Sequence, residues 1–107
     1  MNRFESDLRV PANHPSLRGH FPGQPIVPGV LLLDGVMEIL WKETGRRVAG
    51  LKDVKFLAAM RPDEEARVVC DVDGGRVSFG VSVQRDGARV TVALGNLLLH
   101  ADDGPSV

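Results

Sequence analysis

The stretch GHFPGQPIVPGVLLLD, residues 19–34, decides how the rest of the chain must be arranged. Its first half is dense in glycine and proline, which excludes a regular helix or strand there. Its second half opens an apolar helix, because Pro28 suits the first helical position and the pattern runs to about Thr44, before a stop signal at Gly45. Apolar side chains cover nearly the whole circumference, which is typical of a buried helix. We therefore expect strands to wrap around it.

Segments with strand patterns lie on both sides of this helix. The residues from Phe4 to Val10 favour a short first strand, and four later segments alternate apolar and polar residues. The turn sequences DGG and RDGA signal tight hairpins between the later segments, so we expect them to form a meander. The four predicted strands cover residues 48–60, 66–72, 77–84 and 89–99.

These elements predict an α+β chain with an antiparallel sheet of about five strands wrapped around one long central helix. We expect a single domain over residues 1–107, with 101–107 as a frayed tail. Because a short chain buries a marginal core and an open sheet has unpaired edges, we expect two copies to pair edge to edge as a homodimer.

Composition narrows the class of function. With 43% hydrophobic residues and a formal net charge of −1, the chain lacks the positive charge of a general nucleic-acid-binding protein. The amino-terminal residues have no apolar core of a signal peptide, and no apolar run is long enough to span a membrane. The single Cys excludes an internal disulfide and favours a reducing compartment. We expect a cytoplasmic protein with no nucleic-acid or membrane partner.

Two titratable side chains lie inside the 19–34 stretch. His20 is flanked by Gly19 and a Phe-Pro-Gly segment, and its imidazole can act as a base near neutral pH. Asp34 stands on the second turn of the apolar helix, where burial favours the neutral acid that can protonate a leaving hydroxyl. Gly29 lies in the first turn, where an unpaired backbone N–H can bind a carbonyl oxygen. This combination favours proton abstraction beside a carbonyl.

Each of these residues also has a purely structural interpretation. His20 fits a loop histidine satisfied by its neighbours, and Asp34 fits an ion pair with an arginine. His14 and His20 hint at a metal pair, but no cysteine or third histidine lies near them in the sequence, so we expect no metal. Cys70 alternates with valines, which favours a small buried side chain over a nucleophile.

The motif GHFPGQPIVPGVL, followed by Asp34 fourteen residues after His20, resembles the signature of the hot-dog-fold 3-hydroxyacyl-acyl-carrier-protein dehydratases. The segment GLKDVKF, residues 50–56, is similar to the strand after that family's helix. The resemblance implies that His20 removes the α-proton, that Asp34 of the other subunit handles the departing hydroxyl, and that the Gly29 amide polarises the thioester carbonyl. Phe21 and Gly23 of the same motif then contact substrate. It also implies an acyl carrier protein partner and no cofactor.

The chain departs from the family at Glu38, where a glutamine is usual, and at Ala59 and Asp63, where a proline and a glycine are usual. We predict that Glu38 tunes the acid, either by favouring the proton on Asp34 or by sharing it. Two other functions stay open: an acyl thioesterase in which Asp34 activates water, and a non-catalytic acyl-binding or partner subunit. A basic rim for an acidic carrier protein is also predicted, formed by Arg46, Arg47, Lys52, Lys55 and Arg61.

Overall fold

A computed structural model describes residues 2–13 and 26–101, which form a five-stranded antiparallel sheet with one helix packed on its inner face. The predicted hot-dog architecture is therefore confirmed. The elements in chain order are β1 (Asn2–Leu8), α1 (Gly29–Thr44), β2 (Val48–Phe56), β3 (Ala66–Asp73), β4 (Arg76–Arg85) and β5 (Ala88–Leu99). Most ends agree with the sequence pattern within two residues, but β2 stops at Phe56 rather than at Met60.

The strands lie in the order β1-β3-β4-β5-β2. The predicted meander is correct for β3, β4 and β5, whose tight turns include Asp86 and Gly87 at φ 50° and 78°, as a type I′ turn requires. It is wrong for β2, which pairs with β5 and not with β3. The alternation of side chains marks a strand but does not name its neighbour, and residues 57–65 are long enough to cross the sheet. β1 and β2 are consequently the two edges.

The helix α1 is buried along one stripe only. Pro28 stands just before it with φ −59° and ψ 144°, and Gly45 ends it in the left-handed region, where its N–H donates to the carbonyl of Trp41 at 2.9 Å. The buried side chains are those of Leu32, Leu33, Val36 and Leu40. The expectation of a helix buried on all sides is therefore wrong for a single chain, because the sheet covers only the side that faces it.

A bulge in β2 shapes the edge beside the helix start. The register with β5 shifts between Lys52 and Lys55, and Asp53 takes a positive φ of 55°. Gly95 of β5 lies directly beneath, since a Cβ built on it would be 2.8 Å from the Cα of Val54. The bulge can approach β5 this closely only because residue 95 has no side chain.

Candidate active site

An apolar cavity of about 480 Å³ lies at the start of α1, within the usual size range of ligand pockets. One wall is the entry to the helix and the other is the segment that follows β2, and the N–H of Val27 donates to the carbonyl of Met60 at 2.8 Å to join them. The lining residues are Ile26, Val27, Pro28, Gly29, Leu32, Phe56, Leu57, Ala58, Ala59 and Met60.

Among the described residues, none accepts a hydrogen bond from the Gly29 amide, and the position of Gly29 leaves no room for a side chain. It is the first residue of α1, so its N–H has no acceptor within the helix, and no described side chain caps this end. A Cβ built on Gly29 would lie 2.7 Å from Cζ of Phe56, whose ring stands over the helix start. Phe56 is itself 51% exposed, so the ring forms one rim of the cavity. The arrangement can hold a carbonyl oxygen against the amide in an apolar setting.

Asp34 lies on the outward side of α1 and is exposed in the single chain. Val30, Asp34, Met37 and Trp41 follow one another at spacings of four, three and four residues, which places them on one face of the helix. The burial expected for Asp34 is thus not supplied by the described part of its own chain. Within residues 2–13 and 26–101, no lysine or arginine forms an ion pair with it, so the structural ion-pair interpretation gains no support there.

Glu38 lies one turn beyond Asp34 but is engaged elsewhere. Its Oε1 is 3.1 Å from Nζ of Lys42, one further turn along α1, and both side chains are exposed. This pair is the ordinary i,i+4 arrangement on a helix surface. The tuning of Asp34 by Glu38 stays a prediction.

The remaining predicted site residues, His20, Phe21 and Gly23, lie outside the described residues, as does His14. The structure therefore gives the geometry of the helix half of the predicted site, with Gly29 and Asp34.

An ion-pair cluster that the sequence did not reveal holds the cavity wall after β2. Arg85 at the end of β4 donates from Nε to Glu64 at 2.7 Å and also to the carbonyl of Ala59, while Glu64 accepts the N–H of Arg61 at 2.6 Å. The guanidinium of Arg85 holds the pKa of Glu64 below its ordinary value. Glu64 and Arg85 are too far apart in sequence for any local pattern to pair them.

The same turn explains one departure from the family pattern. Asp63, where the family usually has glycine, takes a positive φ of 66°. Its carboxylate accepts from Arg9 at 3.1 Å and from the N–H of Ala12 at 3.2 Å. These contacts compensate for the backbone conformation and tie the segment after β1 to the cavity wall.

The predicted basic rim does not surround one opening. Arg46 and Arg47 follow the end of α1, whereas Arg61 lies near its start, and the sixteen residues of the helix span about 24 Å. Arg46 is also committed to the fold, because its guanidinium donates to the carbonyls of His100 and Gly74. The charges are spread along the β2 side of the molecule instead.

The described residues hold no cluster of three His, Cys, Asp or Glu groups that could bind a metal ion. Cys70 is fully buried in β3, and burial raises the pKa of its thiol to about 11, which suits a packing role. No helix in the described part of the chain is both long and apolar enough to cross a bilayer.

Comparison with known proteins finds a family model, described as ApeI-like with the name ApeI dehydratase, that matches residues 1–93. A 3-hydroxyacyl-[acyl-carrier-protein] dehydratase FabZ of Chloroflexus aggregans is 34% identical over 100 residues, covering 85% of this chain and 67% of the relative. Another FabZ, of Allorhizobium ampelinum, is 35% identical over 81 residues, covering 76% of this chain and 51% of the relative. The chain thus spans about half to two thirds of the length of these relatives.

Solved structures share the fold. An uncharacterised protein of Erwinia carotovora superposes with a TM-score of 0.80 at 26% identity, covering 94% of this chain and 84% of the other. The dehydratase heterocomplex ApeI:P of Xenorhabdus doucetiae gives 0.76 at 24% identity, with 91% and 86% covered. An acyl-CoA hydrolase of Staphylococcus aureus gives 0.67 at 18% identity, with 95% and 68% covered, so the fold alone does not choose between dehydration and hydrolysis.

Proposed function

Because the chain belongs to the ApeI-like dehydratase family, we propose that it removes water from 3-hydroxyacyl thioesters held on acyl carrier protein, giving trans-2-enoyl thioesters. The observation that carries the proposal is the position of Asp34 on the outward face of α1, where a second copy would meet its carboxyl with a thioester held at that copy's own Gly29 amide. Because the same groups would also suit hydrolysis, the dehydratase family model that matches residues 1–93 supports dehydration over hydrolysis.

The reaction uses three groups of the chain. The imidazole of His20 takes the proton from C2, and the Gly29 N–H stabilises the negative charge that develops on the thioester oxygen. Asp34 then gives its proton to the C3 hydroxyl, which leaves as water while the C2–C3 double bond forms. One proton is gained by His20 and one is lost by Asp34, so transfer between them restores the starting state.

A second copy of the chain completes the site in this proposal. Val30 is 64% exposed and Trp41 47% exposed beside Asp34, and a partner covering this face would exclude water from the carboxyl. Removal of water favours the neutral acid that the reaction requires. The edge strand β2 adjoins this face and offers unpaired backbone groups for the same partner. We accordingly assign Asp34 of one copy and His20 of the other to one active site.

The first experiment incubates the purified chain with 3-hydroxyacyl carrier protein and follows the product by mass spectrometry. Loss of water with retention of the thioester is the expected result; release of the carrier thiol would identify a thioesterase instead. Activity of the chain alone would also exclude a non-catalytic partner subunit. His20→Ala and Asp34→Asn should each lower the rate by a factor on the order of 10²–10⁴, while Asp7→Asn on β1 is the matched control and should keep full activity.

Coexpression of His20→Ala with Asp34→Asn tests whether the site is shared. Mixed dimers regain one intact site of two, so random pairing should restore about a quarter of wild-type activity from two inactive variants. No recovery would reject the shared site while leaving the dehydratase activity itself to the first experiment.

The role of Glu38 is tested by Glu38→Gln, which restores the residue usual in the family. If Glu38 influences the proton on Asp34, the pH–rate profile should shift, whereas an unchanged profile would leave Glu38 as a partner of Lys42 only.

The carrier protein is proposed to meet the exposed cations on the β2 side of the molecule, in the reducing cytoplasm that suits a chain with one buried thiol. Lys52→Glu and Lys55→Glu should weaken carrier binding at low salt, and Arg89→Glu at the β4–β5 turn is the control. Arg46 is unsuitable for this test because its backbone contacts would be lost as well.

A further inference from the structure

The outward face of α1 continues past Asp34 as an apolar path. Met37 is half-buried one turn further along, and Trp41 follows one turn later, 47% exposed. Seven residues separate Asp34 from Trp41, which corresponds to about 10 Å along the helix. The charged neighbour of this path is Glu38, whose carboxylate pairs with Lys42 at 3.1 Å.

A second cavity, of about 360 Å³, lies at the far end of this path. Trp41 is its largest lining side chain, and the others are Met37, Glu38, Arg47 and Val48. The guanidinium of Arg47 stands 5.1 Å from the centre of the Trp41 ring, a cation–π contact that restrains the ring. The cavity therefore has one wall that is large, apolar and held in place.

The proposed function fixes where an acyl chain would begin on this path. Asp34 meets the hydroxyl on C3, so the rest of the acyl chain starts beside Asp34. Toward Val30, the same helix leads to its own Gly29, which belongs to the second thioester site of a symmetric pair. Toward Met37 and Trp41 the path is free of both thioester sites, and the partner copy would close it as a lid.

Resting on this proposed function, we propose that Trp41 is a specificity-determining residue that closes the acyl path and limits the length of the substrate. With C–C bonds of about 1.52 Å at near-tetrahedral angles, an extended acyl chain gains about 1.25 Å per bond, so about eight bonds beyond C3 reach the level of Trp41. The chain is thus expected to accept acyl groups up to about ten to twelve carbons and to discriminate against longer ones.

The test compares 3-hydroxyacyl carrier proteins shorter and longer than this limit, using wild type, Trp41→Ala and Trp41→Phe. Trp41→Ala should raise the ratio of long-chain to short-chain kcat/KM by about tenfold or more, and Trp41→Phe by less. Leu98→Ala is the matched control, because Leu98 is an exposed apolar residue on the opposite face of the sheet and should leave the ratio unchanged. An unchanged ratio in Trp41→Ala would overturn the inference, while dehydration of no chain length by the wild type would reject the proposed function itself.

A second measurement tests the same inference without any Trp41 variant, so it remains informative if those variants fold poorly. Trp41 is the only tryptophan of the chain, so intrinsic fluorescence reports directly on its surroundings. Titration of the inactive His20→Ala protein with 3-hydroxyacyl carrier proteins should change the emission with long acyl groups and leave it unaltered with short ones. Equal responses at every length, or none at all, would contradict contact between the acyl end and Trp41.

Discussion

The two edges of the sheet differ in how their charges are paired and in how much apolar surface they expose. β1 is lined by charge: Arg3 pairs with Asp71 at 3.3 Å, and Arg67 pairs with Asp7 at 2.9 Å and Glu5 at 3.5 Å. These exposed charges oppose pairing with another strand. β2 also carries exposed charges, at Lys52, Asp53 and Lys55, but it adds exposed apolar side chains: Leu51 is 54% exposed and the following Leu57 55% exposed.

The difference indicates that β1 is suited to contact with water and β2 to contact with another protein surface. The paired charges of β1 suit contact with water, whereas the exposed apolar side chains of β2, next to the outward helix face, suit contact with another protein surface. The Gly29 cavity is lined by Phe56 of β2, and the helix face that carries Asp34 continues to Met37 and Trp41 beside Val48 of β2. The proposed catalytic groups are thus on the side that we expect a second copy to cover.

The largest effect is expected from placing a charge at an exposed apolar position of β2. Leu51→Lys places a charge in the proposed interface and should weaken dimerisation by about a hundredfold or more, with activity falling in parallel. Sedimentation equilibrium measures the dissociation constant, and Asp7→Lys on β1 is the control. If both variants dimerise like wild type, β2 is not the edge that pairs.

A smaller effect is expected at the bulge that holds β2 on the sheet. Gly95→Ala would drive a methyl group into the backbone at Val54 and should lower the free energy of unfolding by about 1–3 kcal/mol. Gly80→Ala in β4 meets open space and should change stability by less than about 1 kcal/mol. Urea unfolding of both variants measures these changes. Equal losses of unfolding free energy would contradict the close approach of Gly95 to the backbone at Val54.

The ion-pair cluster of Glu64 and Arg85 on the cavity wall should contribute a pH-dependent stabilisation of similar or smaller size. Glu64→Gln removes charge-assisted hydrogen bonds from Arg85 and should cost on the order of 1–3 kcal/mol at neutral pH. Because Arg85 lowers the pKa of Glu64 from its ordinary 4.5, the stabilisation is present above that value and is lost as the pH falls through the lowered pKa. The difference in free energy of unfolding between wild type and Glu64→Gln should therefore disappear at low pH.

Thermal unfolding across this pH range gives the measurement, with Glu65→Gln, the adjacent exposed acid, as control. A gap that persists unchanged at low pH would mean that Glu64 contributes through packing rather than charge.

The least effect is expected at the charged edge. Arg67→Ala breaks two exposed ion pairs of β1, and such pairs contribute little in water, so the unfolding midpoint should scarcely move. Raising the salt concentration should reduce even that change. A large loss would show that β1 depends on its charges for its place in the sheet and would weaken the contrast between the edges.

Local patterns predicted most of the elements correctly. Alternation located the strands, Asp-Gly marked the β4–β5 turn, and Gly45 ended the helix as expected. The position of β2 could not be predicted in this way, because pairing with β5 depends on contacts far apart in the sequence. The contact between Glu64 and Arg85 was hidden for the same reason.

The sequence predicted which residues belong to the candidate site better than it predicted how buried those residues are. The motif fixed Gly29 and Asp34 on one helix, but the degree of burial of Asp34 depends on which side of that helix the sheet covers. An apolar pattern around a whole helix does not distinguish the side that its own sheet covers from a side that we propose another chain covers.

The sequence by itself determined the hot-dog elements, the family, and the side chains available for proton transfer, because these follow from local spacing and chemical type. Only the tertiary structure decided that β2 is an edge, that Phe56 stands over Gly29, and that Asp34 faces outward beside Trp41. The physical reason is that burial and proximity are properties of packed surfaces, which bring together residues that no local pattern relates.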